Sequence, residues 1–424
     1  MALASKEKLV RGAKRAVRES IKAAQRRRFD LENEAHLLRL RVSNRLQRAL
    51  PKAPHAGRVF VVVNIDTEGP TTVRENTDWD AVRREVAATT SRDFRERFAD
   101  SDGRPLVLNW YVVHWIAEHH RNIGRDVGYH RIFDAYRGVL EEAKKSGFED
   151  ELHWHYHHVH LDHEADNRDW STSPLYDAVV SRAMLERGFF PSCYRAGNTW
   201  EDRGCSEWLE TWIPFDFSNR SPQRGLNFDW SNAPTTWGIY SPDTSDVQHE
   251  GTQKRVMGRS ISIENGWFRE EEVEAAFLRA RGGEDAYVSF FTHDYRPMKA
   301  YIEEGLSLVQ EVARRYPEVT FHNAGAVTAL QTLSHREPGS ALRLFFEKSA
   351  THVDLWANQP LFNPYPWVAA RRTTGEILRI VPDRQPVPRP TWRVDFSELS
   401  GAPIVEAAAA CTTPDGQSTV LRLL

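Results

Sequence analysis

Arg58-Val59-Phe60-Val61-Val62-Val63-Asn64-Ile65-Asp66-Thr67-Glu68-Gly69-Pro70 is the stretch on which the fold turns. Its unbroken apolar start predicts a strand buried on both faces, as in a parallel sheet covered by helices. Polar groups gather where that strand ends. Downstream, apolar runs near residues 106–115, 151–160, 189–200, 215–218, 256–264, 286–292 and 319–323 read as strands, with a further short one at 237–240. Helical patterns fall between them at residues 132–145, 175–187, 270–281 and 298–315, the first two stopped by Gly147 and Gly188. This alternation predicts parallel strands with crossover helices, hence an α/β barrel or a doubly wound sheet. Residues 57–335 are assigned to the barrel, whose active site belongs at the C-terminal ends of its strands.

The flanks differ. Residues 336–424 lose the helical pattern and show short strands separated by Pro, Asn and Gly, which predicts a small all-β, sandwich-like module. Trp356, Phe362, Tyr365, Trp367 and Trp392 in that module read first as core and second as a sugar platform. Residues 1–56 form a basic arm and linker. Leu9, Val10, Ala13, Val17, Ile21 and Ala24 recur at helical spacing among many Lys and Arg. A second helix near residues 31–50 carries Leu37, Leu38, Leu40, Val42, Leu46 and Leu50 and is able to pair with another chain. A solvated or coiled-coil arm, with homo-oligomerisation, is the first reading and a membrane-surface helix the second. The formal net charge of -3 excludes a globally basic nucleic-acid binder. Cys193, Cys205 and Cys411 are too few and too scattered for a disulfide framework or a CxxC knuckle. No apolar run has the length of a transmembrane helix and no leader is recognisable, so the expected location is cytoplasmic, peripheral at the membrane if the arm binds it.

Four clusters fall at strand ends: Asp66 with Glu68; the histidine run 151–160; Arg195 to Trp200; and Thr292-His293-Asp294-Tyr295-Arg296. The histidine run holds five of the chain's 17 histidines. Along a strand, alternate side chains share a face, so His153, His155 and His157 project together, with Leu152, Trp154 and Tyr156 opposite. Converging imidazoles plus a carboxylate from another strand are the donor set of a zinc-like divalent cation.

Together these clusters resemble the NodB-type polysaccharide deacetylases, carbohydrate esterase family 4, whose fold is an irregular (β/α) barrel. Asp66-Thr67-Glu68-Gly69-Pro70 is similar to that family's first motif, with the two acids separated by one residue. Glu151-Leu152 followed by His155 resembles the start of the second motif. The position four residues on is Val159, so His157 and His160 are the alternatives for the next histidine. Arg195 to Trp200 and His293 resemble the later motifs. The resemblance implies Asp66 as general base, Arg195 as its orienting partner and His293 as general acid. It implies Glu68, His155, His157 and His160 as candidate ligands of one divalent metal, zinc by default. Trp200, Asp294 and Tyr295 are the implied substrate contacts. The expected activity is removal of an N-acetyl group from a glycan or from a lipid- or nucleotide-linked sugar. Hydrolysis of another C–N amide is the first alternative, and a glycan-binding or scaffolding barrel without turnover is the second.

Overall fold

A computed structural model describes residues 27–28, 30–70, 78–113, 129–156, 174–223 and 229–424. The barrel strands are β1 (Arg58–Thr67), β2 (Leu108–Val113), β3 (Glu151–Tyr156), β4 (Cys193–Ala196), β5 (Phe215–Asn219), β6 (Val256–Arg259), β7 (Ile261–Ser262), β8 (Ala286–His293) and β9 (Thr320–Asn323). Every ladder among them is parallel. The hydrogen-bonded order is β6-β5-β4-β3-β2-β1-β8-β7, with β9 beside the start of β1. Only Ser260 separates β6 from β7. One segment therefore pairs with β5 on one side and β8 on the other, and the sheet closes on itself.

The helices are α1 (residues 30–49), α2 (Trp79–Thr90), α3 (Arg92–Arg97), α4 (Tyr129–Lys145), α5 (Pro174–Arg187), α6 (Arg203–Trp212), α7 (Glu270–Arg281), α8 (Met298–Arg315) and α9 (Ala326–Leu333). Those between strands cover the barrel, as the alternating pattern requires. The stretch 237–240, read as a strand, contributes only an isolated bridge from Tyr240 to Met257. Its buried Trp237 and Tyr240 give it the apolar look of a strand, but they fill space beside the sheet.

Inside the barrel, side chains form layers. The lower layers are polar: Asn64 Nδ2 donates to Ser260 Oγ and Ser289 Oγ, both at 3.1 Å. His153 lies at this depth, 3.0 Å from Glu151, its ring tilted against Tyr111 with centroids 4.8 Å apart. Aliphatic residues point outward under the helices, where Val59, Val61, Val63 and Ile65 are fully buried.

The C-terminal module is a sandwich of two antiparallel four-stranded sheets. Its strands are β10 (Leu344–Lys348), β11 (His352–Ala357), β12 (Trp367–Arg372), β13 (Ile377–Ile380), β14 (Asp383–Arg384), β15 (Trp392–Asp395), β16 (Ile404–Thr412) and β17 (Ser418–Arg422). One sheet runs β10-β11-β15-β14 and the other β13-β12-β16-β17. The second sheet is apolar on both faces. Val368, Ala370, Ala407 and Ala409 join the sandwich core. Trp367, Ala369, Ala408 and Ala410 join Tyr176, Met184, Trp208 and Trp212 from α5 and α6 in a second core. Of the five aromatics, Phe362, Trp367 and Trp392 are thus core. Trp356 stays half-exposed, stacked on Phe345 with the Arg389 guanidinium 3.9 Å from its ring centroid.

Residues 30–49 are not a free arm. His36 meets Glu272 at 2.8 Å, Arg41 meets Glu271 at 2.5 Å and Arg48 meets Glu274 at 2.6 Å, so α1 lies along α7. The basic stretch 1–26 lies outside the described residues. Among the described residues, no helix is long and apolar enough to cross a membrane.

Candidate active site

Strand register assembles the site. Asp66 on β1 is the direct neighbour of His293 on β8, and His155 on β3 is the direct neighbour of Arg195 on β4. All four side chains emerge into the same end of the barrel, above the asparagine and serine layer. Arg195 is buried, and its Nε donates to both oxygens of Asp66, at 2.8 and 2.9 Å. Its Nη1 donates to the Phe217 carbonyl at 2.9 Å, and its guanidinium lies 3.7 Å from the Phe291 ring centroid. Burial alone would raise the pKa of Asp66. Arg195 foremost, then His155 and His293, outweighs it and holds the carboxyl below its usual range.

His155 has a defined tautomer. Its Nδ1 lies 2.9 Å from the Arg195 carbonyl, which can only accept, so Nδ1 carries a proton and, in the neutral ring, the lone pair is on Nε2. That lone pair lies on the side of Glu68 Oε1, 3.9 Å away. His293 Nε2 lies 3.8 Å from both Asp66 and Glu68, while its Nδ1 is 2.7 Å from Glu264. Burial opposes the charge of His293 most strongly. The Glu264 carboxylate, aided by Asp66 and Glu68, overcomes this and lifts its pKa to about 9. His293 therefore stands as a protonated imidazolium at neutral pH.

Glu264 was not singled out in the sequence, although it ends the run 256–264 and so obeys the same strand-end rule as Asp66. It accepts from the His293 amide at 2.8 Å, from Thr292 Oγ1 at 3.0 Å and from Arg296 Nε at 3.2 Å. Arg220, just past β5, is a second addition. It packs against Trp267 and Phe291, with Nε bonded to Gln223, and burial lowers its pKa to about 10.

The substrate contacts implied by the resemblance divide. Tyr295 stacks on His293, with ring centroids 4.6 Å apart, and stays half-buried at the site. Trp200 follows a short 3-10 turn, and its indole donates to Asp202, the N-cap of α6, at 3.3 Å. Asp294 differs from the other two in being wholly buried. Its Oδ1 accepts from the amides of Glu68 and Gly69, and its Oδ2 from the Tyr136 hydroxyl at 2.6 Å. Both oxygens are thus committed to fixing the turn that carries Glu68. Gly69 is required in that turn, since its φ is +72° and a Cβ there would press on the Trp79 ring at 3.3 Å.

Glu68 oxygen and the His155 lone pair are chemically suited to a zinc-like ion, and their 3.9 Å separation is somewhat wider than the ~3.3 Å between tetrahedral zinc ligands. Among the described residues, no three of His, Cys, Asp and Glu converge in ligand geometry. His157 and His160, the remaining candidates, lie outside the described residues. His153, offered by spacing alone, faces the same way as His155 but sits a layer deeper, on Glu151 and Asn109.

No protein-family model matches this chain, and no curated protein matches it. Among solved structures, a proposed alpha-L-fucosidase from Bacteroides thetaiotaomicron is similar at a TM-score of 0.34 and 8% identity, over 89% of this chain and 96% of that one. A modular endo-beta-1,4-mannanase from Cellulomonas fimi is similar at a TM-score of 0.25 and 13% identity, over 85% of this chain and 76% of that one. At TM-scores this low neither likeness carries an argument about this chain.

Proposed function

We propose that this chain is a metal-dependent carbohydrate N-deacetylase. The observation that supports the reading is the meeting of two oppositely poised pairs in one barrel mouth. Asp66 is held ionised by Arg195, and His293 is held protonated by Glu264, with Nε2 of His293 3.8 Å from Asp66. A base and an acid with their proton affinities pushed apart are what hydrolysis of an unactivated amide requires. Glu68 and His155 would hold the cation, which when bound supplies an activated water and polarises the acetyl carbonyl. Asp66 takes the proton of the attacking water. His293 delivers its Nε2 proton to the departing amine as the C–N bond breaks. Arg195 keeps Asp66 oriented through both carboxylate oxygens. Tyr295, stacked on His293, offers an aromatic face at the mouth for a sugar ring.

The test separates base from ligand. Asp66→Asn is expected to retain its metal and to lose about 10²–10⁴-fold in turnover on N-acetylglucosamine oligomers. Glu68→Gln is expected to come through purification depleted of metal. Metal analysis and acetate release read the two outcomes. If both variants stay loaded and active, the deacetylase reading is wrong.

A further inference from the structure

Helix α1 is built the wrong way round for a helix that merely covers a barrel. Its barrel side is largely polar: Asn33, His36 and Asn44 are buried there beside Leu37, with His36 on Glu272 and Asn44 on Glu274. Along its solvent side an apolar stripe runs between charged residues such as Glu34, Arg39 and Arg45. Leu31, Leu38, Val42 and Leu46 are 72%, 59%, 56% and 66% exposed. At about 100° per residue these four share an arc of roughly 80°, diametrically opposite the docked face. A surface helix ordinarily does the reverse.

The spacing of the stripe points to its occupant. Leu31, Ala35, Leu38 and Val42 alternate at steps of four and three, the a/d spacing of a coiled coil, and Arg45 ends the apolar run. In sequence the d positions upstream are Ala24, Val17, Val10 and Leu3, with Arg28, Ile21, Lys14 and Glu7 at the a positions between them. The residues flanking the seam supply their own complement. In a parallel pair, Arg27 of one copy faces Glu32 of the partner subunit, and Glu34 faces Arg39 of the partner subunit. An anionic membrane is a poorer match, because Glu32 and Glu34 edge the stripe.

We propose that α1 is the seam of a parallel homodimer of this protein. The docking of Arg41 and Arg48 on Glu271 and Glu274 anchors each seam helix to its own barrel, so the pairing fixes two active sites in one particle.

Light scattering on the full chain at tens of micromolar should give about twice the 48.8 kDa chain mass. Leu31→Glu with Leu38→Glu should return the mass to that of one chain with an unchanged circular dichroism spectrum, since both side chains are exposed. Glu34→Arg should weaken the dimer by about tenfold, and adding Arg39→Glu should restore it. That rescue is specific to two copies of one helix. A wild-type chain that is monomeric, or a charge swap that fails to rescue, overturns the proposal. So does a monomeric wild type that floats with phosphatidylserine vesicles and loses this in the double-Glu variant, an outcome that assigns the stripe to a membrane.

Discussion

Glu264 shows how one carboxylate sets the pH range of a site. It holds the pKa of His293 at about 9, against an ordinary 6.5, so the acid keeps its proton well above neutrality. Since the raised group acts while protonated, activity should persist below pH 9 and fall as pH rises through that value. In Glu264→Gln the alkaline limb of kcat/KM should move down by about one unit or more, Asp66 and Glu68 still lending some support. A pH–rate profile whose alkaline limb stays put would remove Glu264 from the mechanism. Asp66, Arg195 and His293 were legible in the sequence because each ends an apolar run, where a barrel exposes side chains to substrate. Glu264 obeys the same rule but lies outside the motifs that carry the resemblance. Asp294 follows a different course: one position beyond His293 the chain leaves the strand, and its carboxylate turns to the amides of Glu68 and Gly69. A sequence shows neighbours along the chain, not which way a turn sends them.

At the level of elements, the docking of α1 rests on buried charge. Glu272 accepts from both terminal nitrogens of Arg259 at 2.7 Å and meets His36 at 2.8 Å. Burial pushes its pKa up most, yet Arg259 with His36 outweighs it, taking the value from the usual 4.5 down to about 2. A depressed carboxyl stabilises fully above its unfolded pKa and loses that contribution as pH falls through the folded one. This buried cluster, Arg259 foremost and His36 second, should therefore be intact above pH 4.5 and weaken toward pH 2, a loss of roughly 3 kcal/mol. Glu272→Gln should lower the melting temperature at pH 7, because Arg259 is left buried without its partner, and should flatten the acid dependence below pH 4.5. An unchanged melting temperature would mean that the Glu272–Arg259 pair is dispensable. The elements themselves were unevenly legible. α7 and α8 follow their helical periodicity to the residue, whereas β16, Ile-Val-Glu-Ala-Ala-Ala-Ala-Cys-Thr, was missed altogether. Alanine has little strand propensity, and four in a row suggest a helix. Here alanines are what allow a central strand to be covered closely on both faces, by the sandwich core and by α5.

For the whole molecule, the barrel and the sandwich were both foreseen, but not their fusion. Trp154, Tyr156, Tyr176, Trp208 and Trp212 on the barrel side share one core with Trp367, Ala408 and Ala410 of the module. Removing residues 336–424 should therefore expose a large aromatic surface and yield aggregates instead of a smaller enzyme. A soluble, monodisperse 1–335 fragment would show that the shared core is dispensable.

Closure of the sheet at Ser260 has one more consequence. Among the described barrel strands, the ring itself has no free edge, and only the four-residue β9 is paired on one side alone. Templated growth needs such a row, and the outer strands of the sandwich supply it. β10 is one of them, paired on one side only with β11 and carrying the half-exposed Phe345 and Phe346 beside Glu347 and Lys348. Two charges at its end are the guard against runaway addition, and fibril formation in this protein would start at that margin and not at the barrel.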